Sequence, residues 1–169
     1  MTVINVHSDP ARLTLSLTAE FDAPVERVWQ LWADPRQLER WWGPPGYPAT
    51  MTKVDLRPGG RVEYHLTGPA GDVLGGVWEV LDANPPHSLA LRDAITEDDG
   101  RPSDEGPSGM TVSIAQIADG RTRMLLEFQF LSHADLESAL EMKMDEGLTF
   151  SVGQADAIIA ESPAQILAS

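Results

Sequence analysis

The groups in this 169-residue chain that could move a proton are four histidines and 26 carboxylates, and their placement argues against an acid–base site. His7 stands near the start, His87 follows a Pro-Pro turn, and His133 sits beside a helix cap. His65 alternates against Val62, Tyr64 and Leu66 and is expected to face solvent, as are Glu63, Glu79 and Glu127. General acid–base catalysis needs a titratable group inside a pocket with a displaced pKa, and alternation delivers none there. The chain has no cysteine, so a thiolate metal site, a disulfide and a cysteine nucleophile are excluded together. No Ser-His-Asp spacing, phosphate loop or metal-ligand cluster stands out, and no metal or cofactor is expected.

The remaining candidates are indoles. Four of the five tryptophans, Trp29, Trp32, Trp41 and Trp42, fall within positions 29–42, the last two in the stretch ERWWGPPGYP. A buried tryptophan marks a core, an interface or a ligand wall. Trp29 and Trp32 share one face of an amphipathic helix and suit a core. Trp41 and Trp42 are adjacent at a helix end, where neighbouring side chains diverge by about 100°, so both cannot face one core. Trp41 is expected inward and Trp42 at a cavity mouth or a dimer contact. Tyr64, Trp78, Met110 and Phe128 suit ordinary sheet-to-helix packing, or the walls of an apolar pocket that buries a small ligand.

These residues need elements to position them. Residues 1–10 show no period and read as a loose lead-in. RLTLSLTAEF alternates as a half-buried strand. Pro24 suits the first helical position, with Val25, Val28, Trp29 and Trp32 on one helix face; Asp34 caps a second short helix, with Pro35 in its first turn and Gln37 three residues beyond the cap. From Pro48 onward strand patterns follow one another. In residues 74–82 two faces compete, Trp78/Val80 against Val77/Leu81. Asp119-Gly120 signals a tight hairpin that matches Met110, Val112 and Ile114 to Met124, Leu126, Phe128 and Phe130. Residues 97–109, acidic and rich in Gly and Pro, read as a mobile loop without the alternating oxygens of a calcium loop. Ser132 then caps a helical stretch whose stripe is Met144, Leu148, Val152, Ala155 and Ile159, with a joint expected at Gly147.

The expected domain is α+β, a helix-grip: a curved antiparallel sheet of six to seven strands wrapped around a long C-terminal helix, about 145–161, with two short helices after the first strand. Residues 11–162 would form this single domain and 163–169 a tail. The formal net charge of −14 repels phosphate backbones, which argues against nucleic-acid binding. No stretch approaches the roughly 20 apolar residues of a membrane span, and a cytoplasmic location is the expectation.

The runs APVERVWQLWADPRQLERWWGPPGYP, RPGGRVEYHL, LGGVWEVLDANPPHSLAL and LESALEMKMDEGLTFSVGQADAIIA, with the hairpin at 109–130, resemble the SRPBCC superfamily, the helix-grip fold of START and birch-pollen-allergen proteins. More narrowly they resemble its bacterial branch related to activators of a heat-shock chaperone's ATPase. Coverage runs from about residue 12 to 161. The most specific motif is the double tryptophan after D-P-x-x-L. At the opening of the terminal helix the sequence has Leu148 where this family commonly has tryptophan. The resemblance implies a cavity between sheet and terminal helix that binds a small apolar or aromatic ligand, lined by Trp32, Trp41, Trp42, Tyr64, Leu66, Trp78, Met110, Val112, Leu126, Phe128, Met144, Leu148 and Val152. It also admits a co-chaperone-like interaction protein, although the sequence shows neither the extra N-terminal domain of eukaryotic activators nor a basic patch, and a cyclase or dehydratase acting in the same cavity.

Overall fold

The structure is a computed structural model that describes residues 2–43, 46–95 and 109–161. Eight strands form one antiparallel sheet: β1 (Thr2–Asp9), β2 (Thr14–Phe21), β3 (Ala49–Val54), β4 (Arg61–Thr67), β5 (Val73–Asn84), β6 (Ser88–Ile95), β7 (Gly109–Ala118) and β8 (Arg121–Gln129). Their spatial order is β1-β2-β8-β7-β6-β5-β4-β3, so every junction joins sequence neighbours except β2 to β8. Between β2 and β3 lie two short helices, α1 (Val25–Ala33) and α2 (Pro35–Trp41), and after β8 come α3 (His133–Glu141), α4 (Met144–Gly153) and α5 (Ala155–Ala160). This is the expected helix-grip, with strand β1 added. Residues 2–9 are not a loose lead-in, because they pair with β2 from Thr2↔Glu20 to Asp9↔Thr14. A register break between Val3 and Asn5 interrupts the two-residue period, which is why no strand pattern showed in the sequence.

Helix ends follow the local chemistry. Asp34 accepts a hydrogen bond from the Arg36 backbone N–H at 2.9 Å, and Pro35 opens α2. The Gln37 side chain donates to the same carboxylate at 2.9 Å. Ser132 caps α3 through the Asp135 N–H. Pro24 stands one residue earlier than expected, as the extended cap of α1. The inward face of α1 is Val25, Val28, Leu31 and Trp32, with Trp29 only partly buried. The Asp119-Gly120 hairpin forms as expected, pairing Met110 with Phe128, Val112 with Leu126 and Ile114 with Met124, all buried.

The terminal helix is not continuous. The joint between α3 and α4 falls at Lys143, whose φ of 60° is left-handed, while Gly147 lies inside α4. A second break at Gln154 shifts the phase, so Ile158 rather than Ile159 is fully buried in α5. Helix α4 packs on β1 and β2 and against α2, whereas α5 packs on α1 and α2. In β5 the ambiguity resolves with Trp78 and Val80 in the core and Leu81 exposed; Val77 is buried outside the main core cluster. The expected loop at 97–109 lies outside the described residues except for Gly109, as does the tail at 163–169.

Candidate ligand-binding site

Five aromatic rings converge on the inner face of β4 and β5. Trp32 comes from the last turn of α1, Trp41 ends α2, Trp42 follows it in extended conformation, Tyr64 lies on β4 and Trp78 on β5. Trp32 and Trp41 meet edge to face with centroids 4.9 Å apart; Trp42 and Trp78 do the same at 4.8 Å. Tyr64 stands 5.6 Å from Trp78 and 6.4 Å from Trp42. Edge-to-face pairs at these separations are favourable beyond the area they bury, by roughly 0.5–1.5 kcal/mol each. Trp41 faces inward as expected, its indole N–H donating to the Leu31 carbonyl at 2.8 Å. Trp42 is the outer indole, packed against the core but only partly buried.

The cluster depends on a residue that sequence reasoning passed over. Gly76 pairs with Tyr64 across β4 and β5, and a Cβ on Gly76 would lie 2.2 Å from Tyr64 Cζ. The tyrosine ring therefore lies flat over a strand position without a side chain. The doubled glycine at 75–76, inside a strand pattern, was the available signal.

The other candidates belong to the same packed core cluster or lie against it. Met110, Val112, Leu126 and Phe128 form the floor on β7 and β8, tied to the rings by a Trp32 N–H contact to Met124 Sδ at 3.3 Å. Leu148 and Val152 of α4 are buried; Leu66 and Met144 are partly buried at the edge of the cluster. Two polar residues of the helical stretch hold it to the tryptophan turn. Ser151 Oγ donates to the Gly43 carbonyl at 2.9 Å, and Gln154 Nε2 donates to the Trp41 carbonyl at 3.3 Å.

Arg40 holds the Glu161 carboxylate through both guanidinium nitrogens, which keeps that carboxyl below its usual range and raises the arginine. Beside them Arg27, its pKa lowered by burial, donates to Gln37 and to the Ile158 carbonyl at the end of α5. Asp55 is lowered and Arg57 raised by their mutual hydrogen bonds. His7, His87 and His133 are exposed and His65 is partly buried. Among the described residues no group of three histidines or carboxylates could hold a metal ion. An open cleft of about 300 Å³ between Pro24–Glu26, His87 and the β7–β8 hairpin shares no residue with the aromatic site.

Residues 22–159 match the family described as Activator of Hsp90 ATPase homolog 1-like protein. The chain belongs to this family. It is therefore a member of the SRPBCC superfamily, and the eight-stranded grip is that superfamily's architecture. Protein Ms6760 of Mycobacterium smegmatis is similar at 42% identity and a TM-score of 0.83, with 94% of this chain and 98% of that one covered. A protein of Arthrobacter aurescens is similar at 40% identity and 0.88, covering 96% and 94%. CalU16 of Micromonospora echinospora shares the fold at 19% identity and a TM-score of 0.54, over 90% of this chain and 80% of that one. No curated protein matches the sequence.

Proposed function

We propose that this member of the family binds a small apolar or aromatic molecule between the sheet and the terminal helix. One observation carries the reading: the aromatic cluster runs without interruption from the fully buried Trp32 and Trp78 to the partly exposed Trp42 and Tyr64. The outermost indole keeps apolar area that a stacking ligand would cover. A ligand stacking there would bury apolar area worth roughly 25 cal/mol per Å², a few kcal/mol, and contacts with Leu66, Met144 and Leu148 would carry affinity further. The five converging rings are uncharged and largely apolar, which suits the binding of such a molecule.

Titration with a panel of aromatic and fatty molecules, following tryptophan emission in the native chain and in Trp41→Phe and Trp42→Phe, tests the proposal. Emission should change on binding, and Trp42→Phe should remove more of the signal than Trp41→Phe. If no ligand perturbs the indoles and dilution shifts their emission instead, Trp42 closes a contact between two copies and the pocket reading fails.

The family description favours a second reading, stimulation of a chaperone ATPase. Adding the chain to a heat-shock-chaperone ATPase assay separates the two: a rise in turnover without any small-molecule binding supports the second. The net charge of −14 restricts such a partner to one with a basic or neutral docking face.

A further inference from the structure

Three indoles of the aromatic cluster are fully buried, and their N–H groups fare differently. Trp32 donates to Met124 Sδ and Trp41 to the Leu31 carbonyl. Trp78, 0% exposed, has a buried Nε1 with no hydrogen-bond partner. Buried donors in native proteins are nearly always satisfied, and an orphan calls for an explanation. Polar packing is available elsewhere around this cluster, since Ser151 and Gln154 both reach backbone carbonyls of the tryptophan turn. The ring that shields Trp78 most closely is Trp42, the partly exposed one, 4.8 Å away.

We infer that the Trp78 indole N–H is the polar anchor of the bound molecule, donating to a neutral carbonyl or ether oxygen on an otherwise aromatic or apolar ligand. This rests on the pocket reading and adds the ligand's chemistry to it. The rings around Trp78 carry no charge, the residue paired with Trp78 on β6 is the acidic Asp93, and the chain is strongly acidic, so none of these supplies a counter-ion to a carboxylate or phosphate. A pure hydrocarbon would leave the donor as unsatisfied as it is now. An acceptor-bearing ligand converts that cost into selectivity, because a site with a buried donor discriminates against the analogue that lacks the acceptor.

The test uses two near-isosteric probes, naphthyl methyl ketone and isopropenyl naphthalene, with the full chain carrying nitrogen-labelled tryptophan; Trp78→Phe identifies the Trp78 indole resonance. The ketone should bind about tenfold more tightly than the alkene, as one added hydrogen bond of about 1.4 kcal/mol implies. The ketone alone should move the Trp78 N–H downfield, and Trp78→Phe should bring the two affinities together. The affinity comparison is read on the native chain alone, so it stands even if Trp78→Phe does not fold, and equal affinities of ketone and alkene then overturn the anchor by themselves. Equal affinities with an unmoved Trp78 resonance, while Trp42 emission reports binding, overturn the anchor and leave the pocket. An upfield resonance unmoved by the ketone places the N–H on the Trp42 ring face and overturns the anchor as well. If neither probe nor any other aromatic compound binds, the pocket and the anchor fail together.

Discussion

Gly76 and Tyr64 show how one missing side chain shapes this interior. The tyrosine ring occupies the space where a Cβ would sit, with Cζ 2.2 Å from it and Oη 2.6 Å. Gly76→Ala therefore forces the ring away or the strands apart, and overpacking of this kind costs about 1–3 kcal/mol. Chemical denaturation should show that loss, and Tyr64→Ala in the same chain should recover part of it because the two residues share one space. A fully additive double variant would mean that the ring does not rest on Gly76. The pair also explains why residue-level reading was incomplete. The indoles announced themselves by type and spacing, and Trp41 packs inward as expected, but Trp42 leaves the helix in extended conformation and joins the same ring cluster, so the two do not diverge as helical neighbours would. The surface that receives the tyrosine is defined by an absence, and only the pairing of β4 with β5 brings it opposite Tyr64.

At the scale of elements, strong local chemistry was legible and weak local chemistry was not. The Asp119-Gly120 hairpin and the Asp34 and Ser132 caps follow from residues a few positions apart, whereas β4 does not alternate in burial, with Val62 buried and Glu63 to Leu66 all partly buried. Strand β1 escaped notice because its register break hides the period, and the joint at Lys143 because lysine carries no turn signal while Gly147 does. There packing overrode propensity. The end of α5 is held by a clasp that no pattern announced, Arg40 on Glu161 and Arg27 on the Ile158 carbonyl. The Glu161 carboxyl is held below its usual range by Arg40, so its folded-state pKa lies under its unfolded one. Its contribution is present above the ordinary glutamate value of about 4.3 and is lost as pH falls through the lowered one. The native chain should melt above Glu161→Gln at pH 7, and the gap should close in acid, below about pH 4. A gap independent of pH would assign the effect to packing rather than charge.

For the whole molecule, the fold class was legible because a sheet with one apolar face and a helix with one apolar stripe have few ways to bury both. The sheet order contains one long-range junction, β2 with β8, which brings Arg12 to Glu127 across 115 residues of chain. All the other junctions close through neighbouring strands. Because closing a long loop costs entropy before its contacts repay it, the meander from β3 to β8 should acquire structure first. Strands β1 and β2 would then dock on β8 and give α4 its seat. Pulse-labelled hydrogen exchange during refolding should protect β7 and β8 before β2 and α4, and the reverse order would contradict this. In the interval before docking, β8 is an unsatisfied edge beside the apolar row Met124, Leu126 and Phe128. A second chain could offer its own β2 to that edge with the same register, so crowded refolding should yield swapped dimers that exchange their N-terminal hairpins.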